Sequence, residues 1–400
     1  RKDFFSNPYV LTDNCNLHHN RNINNTEQQD LKPFFPMSYS LTDYFRLLSP
    51  YISDVLVDPQ QLSFIQKVAQ LLPPISPVLL ECRLQADQPQ VDLSVGLQPM
   101  KFPMRESLVS YPFWQQVQSF CQDWTTFNSL PYETVEDIWL EFDLDGAKDN
   151  LIQGSWFLSL RGKVFQDKNA GALSKFIEIV SYAMAAQMDA RQTTLVYDCI
   201  NALPQGAGIN QIGAMRSRPG KPLRLNVSGL STQTIPIYLA EIQSQPVTAD
   251  LADIINLISH LCDRLVLCFD VEEKIGSRIG LECYLDKQPK KKPRWAEFLD
   301  VLVGMKCCSR EKRDHLLKWP GLIHQKDSPE LWPENLRQLD SLITPGTTSV
   351  FWRTINHLKL VYQPGRDLEA KAYLAFGHRW FNPNKTNSVS PAEIKIGNDS

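Results

Sequence analysis

The sequence lacks the short motifs that mark the commonest catalytic and cofactor sites. Its 400 residues contain no G-x-S-x-G, no H-E-x-x-H, no Walker phosphate loop and no G-x-G-x-x-G. These motifs would place a serine nucleophile, a pair of zinc ligands, a nucleotide phosphate or a dinucleotide. No reaction class therefore follows from a local motif, and the inference of function has to pass through the fold.

Long apolar runs and an excess of positive charge are also missing. No apolar run approaches the roughly 18 residues of a membrane-spanning helix, and Arg1-Lys2 is not followed by the apolar stretch of a secretory signal. The formal net charge is -3, whereas nucleic-acid binders are usually basic. The sequence therefore predicts neither a membrane segment nor a nucleic-acid partner.

The nine cysteines include no C-x-x-C pair. Most of them lie inside apolar runs, such as Cys268 within residues 266–269. This pattern is typical of buried free thiols in a reducing compartment, and it favours neither a disulfide framework nor a zinc site. We therefore expect a cytoplasmic protein without a metal site.

What the sequence does contain is a repeat. Five times, two runs of alternating apolar and polar residues flank a turn, which is the pattern of a β-hairpin. The paired runs are 78–84 with 91–97, 138–144 with 155–161, 208–217 with 222–229, 264–271 with 278–286, and 355–363 with 368–376. Their turns contain residues that supply fixed or positive φ, namely Asp87-Gln88-Pro89, Asp145-Gly146, Pro219-Gly220, Lys274-Ile275-Gly276 and Pro364-Gly365.

Helix-like sequence follows four of the five hairpins, so the repeating unit is ββα. Asp58 is predicted to cap a helix that precedes the first hairpin. The helix after the first hairpin has an apolar stripe with helical spacing, which consists of Phe113, Val117, Phe120, Cys121 and Trp124.

The chain divides by composition into three parts. Residues 1–36 are rich in Asn, Asp and Gln and are predicted to form a flexible arm, and residues 381–400 a polar tail. The stretch 319–348 is rich in proline and is interpreted as an ordered loop. No Gly/Ser linker interrupts the middle of the chain, so residues 37–380 are predicted to form a single domain.

Each predicted strand has one apolar and one polar face, because side chains alternate along a strand. The helices would cover the apolar faces. An open sheet would leave the polar faces in solvent, whereas closure of ten strands would remove the sheet edges and turn the polar faces into a lumen. Trp139, Tyr284, Tyr373 and His357 lie among the charges of these faces, which favours closure over open or packed sheets.

Three segments resemble parts of the ABBA-type, or PT-barrel, aromatic prenyltransferases. Lys371-Ala372-Tyr373 is similar to the family's recurring Lys-x-Tyr pair, and residues 278–284 resemble the start of another such strand. Residues 134–143 resemble the strand that carries the family's general base, but Glu282 stands where the family usually has Lys. The resemblance implies an α+β fold of five ββα repeats, in which a closed ten-stranded antiparallel barrel with helices outside binds an isoprenoid diphosphate.

A diphosphate carries about three negative charges near neutral pH and needs several cations around it. Fixed cations of this kind would also stabilise the charge on the leaving diphosphate. In the family, tyrosines shield the allylic cation, and Tyr284 and Tyr373 are the candidates for this cation–π contact. The candidates for diphosphate binding on the predicted polar faces are Arg83, Arg161, Arg224, Lys359 and Lys371.

Glu141 is the preferred candidate for the general base. It lies on the polar face between Trp139 and Asp143, so an acceptor stacked on Trp139 would present its proton to the carboxylate. The like charge of Asp143 would raise the proton affinity of Glu141. Glu81 is the alternative base, and His357 is a further candidate for contact with the substrate because it faces the polar side.

The favoured hypothesis is a prenyltransferase that moves an isoprenoid from its diphosphate to an aromatic or peptide-borne nucleophile in secondary metabolism. The resemblance implies that no cofactor is required, although it does not exclude Mg²⁺. The alternative is a barrel without catalysis that binds a peptide or a pathway partner, which Glu282 in place of a cation favours. A third hypothesis is an α+β protein with an open sheet and an unrelated role.

Overall fold

The computed structural model describes residues 40–72, 77–97, 106–144, 154–161, 170–242, 248–340 and 348–381. The predicted arm and all but the first residue of the predicted tail lie outside these ranges, and so does the turn at Asp145-Gly146. The division of the chain into an arm, a single domain and a tail therefore stays a prediction.

Helices and strands alternate along the described chain in a regular order. The helices are α1 (Thr42–Leu48), α2 (Pro59–Leu71), α3 (Glu106–Val109), α4 (Pro112–Trp124), α5 (Leu130–Thr134), α6 (Ala170–Met184), α7 (Ala190–Asn201), α8 (Thr234–Glu241), α9 (Ala249–Ser259), α10 (Arg294–Gly304), α11 (Arg310–Lys318) and α12 (Glu334–Asp340). The strands are β1 (Val78–Arg83), β2 (Val91–Leu97), β3 (Val135–Phe142), β4 (Ser155–Leu160), β5 (Gly208–Ala214), β6 (Leu223–Ser228), β7 (Arg264–Val271), β8 (Ile279–Tyr284), β9 (Gly321–His324), β10 (Thr348–Tyr362) and β11 (Glu369–Phe381).

The strands form one antiparallel sheet that closes on itself. Its order is β11-β1-β2-β3-β4-β5-β6-β7-β8-β10-β9, and β10 also pairs with β11. Ten strands therefore make a ring, while β9 lies outside the ring and pairs with the first part of β10. The prediction of a closed ten-stranded antiparallel barrel with helices outside is confirmed, and the open-sheet alternative is wrong.

Four of the five hairpin turns lie within the described residues, and all four are at the same end of the barrel, which we call the hairpin end. Neighbouring strands in the ring are antiparallel, so every hairpin returns the chain to the opposite end, where it leaves for the next helix or hairpin. Gly220 and Gly365 have φ of 73° in the turns of the third and fifth hairpins, a conformation that glycine adopts at no steric cost. This arrangement gathers the four described turns around one opening of the lumen.

The main hydrophobic core lies between the barrel and the helices. Along β1, Val78, Leu80 and Cys82 belong to this core, whereas Glu81 and Arg83 border a cavity in the lumen. The inward polar faces predicted from alternation are therefore present. A second apolar cluster, separate from the main core, consists of Val266, Cys268 and Tyr284.

Two local predictions for helices agree with the structure. Asp58 caps α2, because its carboxylate accepts hydrogen bonds from the backbone N–H groups of Gln60 and Gln61 at 2.8 and 3.0 Å. Capping of this kind satisfies backbone donors that have no partner within the helix. Every residue of the stripe predicted for α4 is buried, so this face of α4 packs on the barrel.

The stretch 319–348, which was expected to be a loop, contains β9 and α12. Strands β10 and β11 are also longer than the predicted runs, since β10 begins at Thr348 and β11 ends at Phe381. In β10, a register shift lies between Ile355 and His357, where the predicted run began. This shift interrupts the period-two pattern of β10, so only the second half of the strand has the expected alternation. Helices α5 and α7 were also not expected from the sequence.

The sequence also led to expectations about the cysteines and about membrane-spanning helices. All eight cysteines in the described ranges are buried free thiols, as predicted, and Cys15 lies outside those ranges. Among the described residues, no helix combines the length and apolar character needed to cross a membrane.

A buried ammonium group joins α11 to the first hairpin. Lys312 on α11 is 4% exposed, and its Nζ donates to the carbonyl oxygens of Arg83, Gln85 and Gln88 at 2.8 Å each. All three donors of the ammonium group are therefore satisfied. Because these carbonyls span the turn between β1 and β2, Lys312 fixes the position of this turn at the hairpin end.

Replacing Lys312 with methionine is expected to lower the free energy of unfolding by about 2–4 kcal/mol, because three carbonyls lose charge-assisted hydrogen bonds at once. Urea unfolding followed by circular dichroism measures this loss. Lys318→Met is the matched control, since Lys318 lies on the same helix but is exposed, and it should change stability by less than about 0.5 kcal/mol. Equal effects of the two substitutions would contradict this role for Lys312.

Candidate functional site

The lumen contains a cavity of about 300 Å³ near the hairpin end. This volume is at the lower limit of typical small-molecule sites. Side chains from six strands and from the turn between β5 and β6 contribute to its walls. Its cationic lining residues are Arg83, Arg218, Arg224, Arg278, Lys359 and Lys371.

Three of the predicted cations form a row across neighbouring strands. Arg83 on β1 is the Cα partner of Lys371 on β11, and Lys371 is the partner of Lys359 on β10. Directly opposed residues of an antiparallel pair have their Cβ atoms about 4.5–5.5 Å apart. The closure of the barrel between β1, β11 and β10 thus brings together cations from distant parts of the sequence, and Arg224 on β6 lines the same cavity.

Arg161, the fifth predicted cation, does not reach this cavity. It directly follows β4 at the end of the barrel opposite the hairpin turns, where it is exposed and its Nε donates to the carbonyl of Tyr132 at 3.3 Å. Strand β4 starts with Ser155 at the hairpin end. Alternation identified the inward face of this strand but not the depth of its residues along the barrel.

Glu81 is the centre of a buried network on the cavity wall. Lys371 Nζ donates to Glu81 Oε1 at 2.5 Å, and the hydroxyl of Tyr373 donates to Glu81 Oε2. Arg83 Nη1 lies 3.6 Å from Glu81 Oε1 and donates to Asp92 Oδ2 at 2.6 Å. Burial by itself would raise the pKa of Glu81, but the charges of Lys371 and Arg83 outweigh burial and hold this pKa well below its usual range.

The remaining two predicted cations are paired in the same way. Arg224 forms a bidentate pair with Asp270, with N–O distances of 2.8 and 2.9 Å. Lys359 Nζ donates to Glu282 Oε1 at 3.0 Å, so the acidic residue that departs from the family pattern neutralises a lumen cation. Gly280 provides the space for Lys359, because a Cβ at this position would lie 2.8 Å from the Lys359 Cε.

Arg218 is a cavity cation that the sequence analysis missed. It lies in the turn between β5 and β6, and its Nη2 donates to Glu141 Oε1 and to Asp143 Oδ1 at 2.9 Å each. The hydroxyl of Ser217 donates to Asp143 at 2.6 Å. Strand alternation says nothing about turn residues, so the only signal in the sequence was the cationic turn itself.

Glu141 is buried in the lumen with a pKa raised to about 7. Burial is the main cause, the nearby charge of Glu81 adds to it, and Arg218 opposes it. Asp143 raises this pKa as well, as predicted, but by less than Glu81 does. Trp139 is half-buried two residues along the same strand face. A carboxylate whose pKa lies near 7 is suited to accept a proton at neutral pH.

The predicted aromatic residues form a column in the lumen. The ring of His357 is stacked on Tyr373 with centroids 4.0 Å apart, and it lies 4.7 Å from the ring of Tyr284. The guanidinium of Arg264 lies 3.8 Å from the Tyr284 centroid. Burial lowers the pKa of His357 to about 4, so the sandwiched imidazole is neutral. Of the two tyrosines, Tyr373 lines the cavity, whereas Tyr284 is in contact with His357 and Arg264.

The ion pairs leave the lumen close to electrical balance. Within the described residues, these pairs join the six cations that line the cavity to seven carboxylates, so carboxylates are in excess by one when all are ionised. The cations are Arg83, Arg218, Arg224, Arg278, Lys359 and Lys371. The carboxylates are Glu81, Asp92, Glu141, Asp143, Asp270, Glu282 and Glu369.

The described ranges contain no group of three or more His, Cys, Asp or Glu side chains arranged to hold a metal ion. The acidic side chains of the lumen are instead bound to Lys and Arg. Whether Mg²⁺ is dispensable stays a prediction.

The comparisons with known proteins concern the fold. No family model matches the sequence, and no curated protein matches it. The solved structures with similar folds include AnaPT from Neosartorya fischeri, with 15% sequence identity, coverage of 84% of this chain and 91% of that chain, and a TM-score of 0.48. They also include PriB in a binary complex with product diphosphate, with 13% identity, 84% and 95% coverage and a TM-score of 0.43.

A third structure is prenyltransferase PriB in a ternary complex with L-tryptophan and dimethylallyl thiolodiphosphate, with 12% identity, 84% and 94% coverage and a TM-score of 0.40. These likenesses are too distant to carry an argument about activity. The architecture itself defines the fold: the described residues form a closed ten-stranded antiparallel barrel with helices outside. This is the PT-barrel fold that the sequence resemblance implied.

Proposed function

We propose that this protein is a prenyltransferase that moves an isoprenoid from its diphosphate to an aromatic or peptide-borne nucleophile. One observation carries the proposal. Arg83, Arg224, Lys359 and Lys371, which are far apart in the sequence, converge with Tyr373 on a single cavity. Arginine and lysine side chains are the groups that bind phosphate oxygens most strongly, and the barrel provides walls that shield a reactive intermediate from water.

The donor's diphosphate would bind between these cations and Arg218. When the bond between its oxygen and the allylic carbon breaks, the electron pair leaves with the diphosphate, whose charge the fixed cations stabilise. The allylic cation would lie against the ring of Tyr373, since aromatic faces attract cations. Tyr284 is a weaker candidate for this role, because it does not line the cavity and the guanidinium of Arg264 lies 3.8 Å from its ring centroid.

The acceptor would lie toward Trp139, with its reacting atom between the allylic cation and Glu141. Attack on the cation forms the new bond, and Glu141 would take the proton that the acceptor releases. The pKa of about 7 supports this role. The low pKa of Glu81 and its bonds to Lys371 and Tyr373 make it a weaker base.

A role in secondary metabolism is part of this proposal.

A second candidate function is a barrel without catalysis that binds a peptide or a pathway partner. The favouring observation is that all six cations of the cavity lining are already paired with carboxylates, including Lys359 with Glu282. A diphosphate has to replace carboxylates before it binds. The two candidates therefore differ in whether a diphosphate enters the lumen at all.

We expect Arg224→Met to weaken the binding of dimethylallyl diphosphate by about 10–100-fold, because a charge-assisted hydrogen bond contributes about 1.5–3 kcal/mol. Isothermal titration calorimetry measures this affinity. Mass spectrometry detects prenyl transfer in reactions that contain dimethylallyl or geranyl diphosphate and a panel of aromatic and peptide acceptors. Arg161→Met is the matched control, since Arg161 lies at the other end of the barrel and should leave binding unchanged.

If neither diphosphate binds the unaltered protein or raises its melting temperature, the prenyltransferase proposal fails and the second candidate is favoured. If Arg161→Met weakens binding as much as Arg224→Met, the assignment of the diphosphate to the hairpin-end cavity fails. Product formed in the presence of a chelator would support a mechanism without Mg²⁺.

A further inference from the structure

The balance of charge in the lumen sets a condition on anion binding. A diphosphate brings about three negative charges near neutral pH into a lumen whose carboxylates already outnumber its cations by one. Buried like charges at short range are costly, because the interior screens them poorly. One way to relieve this cost is for a carboxylate to become protonated when the anion arrives.

Asp92 is the carboxylate that a diphosphate would displace most directly. It lines the cavity and is 3% exposed, and its Oδ2 accepts the hydrogen bond from Arg83 Nη1 at 2.6 Å. Arg83 is also within 3.6 Å of Glu81, so two carboxylates share one guanidinium. Asp92 Oδ1 accepts a bond from the backbone N–H of Leu144 at 3.0 Å, which would hold the side chain in place after it loses Arg83.

The charges around Asp92 come from three strands. Glu81 and Arg83 face it from β1, Lys371 from β11, and Asp143 from the end of β3. Burial raises the pKa of Asp92, the charge of Glu81 raises it further, and Arg83 and Lys371 oppose this. Because these two cations are those that a diphosphate would engage, their occupation removes the interactions that keep Asp92 ionised.

The other lumen carboxylates are less suited to take up this proton. Asp270 holds Arg224 through two hydrogen bonds, and the pKa of Glu282 is lowered to about 2, because Lys359 and His357 outweigh its burial. Glu141 does not line the cavity, so a bound diphosphate would not replace it directly on a cation. Its partner Arg218 also binds Asp143, so Arg218 is not paired with Glu141 alone.

We infer that a diphosphate enters this lumen in exchange for the Asp92 carboxylate on Arg83, and that Asp92 takes up one proton from solvent as it does so. This inference rests on the proposed function, because it requires that the lumen binds diphosphate. No covalent bond to carbon changes in this step: Asp92 gains an O–H bond, and Arg83 exchanges one oxygen acceptor for another. Binding of the donor then depends on pH through Asp92.

Calorimetry with inorganic diphosphate tests the inference. Titrations at pH 7.5 in two buffers with different heats of ionisation report the number of protons taken up per diphosphate bound. We expect the unaltered protein to take up about one more proton per diphosphate than Asp92→Asn does, because the asparagine side chain is already neutral before the diphosphate binds. At pH 8, Asp92→Asn should also bind diphosphate more tightly than the unaltered protein does. One linked proton makes the affinity of the unaltered protein fall by up to about tenfold per pH unit, and Asp92→Asn should lack this part of the pH dependence.

Asp270→Asn is the matched control, because it also removes one lumen carboxylate but should keep the proton uptake. If the unaltered protein and Asp92→Asn take up equal numbers of protons, the inference is wrong and the proposed function stands. If the unaltered protein binds diphosphate without taking up any proton, the inference is wrong whether or not the variant folds. If it binds no diphosphate between pH 6 and 8, the inference and the proposed function both fail.

Discussion

Glu141→Gln is expected to lower the turnover number of prenyl transfer by about 10²–10⁴-fold, which is the usual contribution of a positioned general base. Glutamine keeps the size of the side chain and can still accept a hydrogen bond from Arg218, but it cannot take a proton from the acceptor. The affinity for the donor should stay equal or become greater, since the substitution removes a negative charge from the lumen. Steady-state kinetics with mass-spectrometric detection separate the two effects.

The pH dependence of turnover provides a second readout of the same change. Glu141 must be ionised to act as a base, so turnover should rise with pH. The pKa of about 7 applies without ligand, and the negative diphosphate can only raise it. The ascending limb should therefore lie at or above pH 7 in the unaltered protein and be absent in Glu141→Gln.

Glu136→Gln is the matched control for this substitution. Glu136 lies on the same strand, β3, but is exposed near the opposite end of the barrel, so turnover should not change. If Glu141→Gln retains full turnover with an unchanged pH profile, Glu141 is not the base. If Glu81→Gln then loses turnover while Glu141→Gln does not, Glu81 is the general base.

Lys371→Met is expected to lower the free energy of unfolding by about 3–5 kcal/mol, because it leaves the buried carboxylate of Glu81 without its closest cation. The double variant Lys371→Met/Glu81→Gln should recover most of this loss, since no unpaired charge remains. Urea unfolding of the two single variants and the double variant completes the double-mutant cycle.

The pair Lys175–Glu133 is the matched control, because its N–O distance is 2.9 Å but its side chains are 49% and 43% exposed. Lys175→Met should cost less than about 1 kcal/mol. If both lysine substitutions have equally small effects, Glu81 and Lys371 do not form a buried pair in solution.

The stability contributed by Glu81 should also depend on pH in a defined direction. Its pKa in the folded protein lies below the unfolded value of about 4.3. The contribution is therefore fully present above about pH 4.3 and is lost as the pH falls through the folded pKa. The double variant should lack this part of the acid sensitivity.

Alternation along the strands predicted the hairpins of the ββα repeat and the two faces of most strands. The prediction of a closed barrel also depended on the aromatic residues of the polar faces and on the family resemblance. Alternation could not predict which charges would pair. Glu81 and Lys371 are 290 positions apart, and they meet only because β1 pairs with β11. The ion pairs of the lumen are therefore a property of closure, which no local pattern contains.

Arg161 and Arg218 illustrate what a periodic pattern leaves out. Arg161 follows the end of β4 away from the hairpin turns, and Arg218 lies in a turn that reaches the lumen. Alternation gives the side of the sheet but not the depth along the barrel, and it has no meaning within a turn. The shift between Ile355 and His357 hid the first half of β10 for a related reason, since it moves the strand from one alternation to the other.

The central claim is that the cavity at the hairpin end holds the donor's diphosphate, and a crystal structure with dimethylallyl thiolodiphosphate tests it most directly. We predict that the phosphate oxygens lie within hydrogen-bond distance of Arg83, Arg224 and Lys371, with the allylic chain against Tyr373. A lumen without ligand at saturating concentration, in which Lys371 still binds Glu81 and Arg224 still binds Asp270, would contradict the claim.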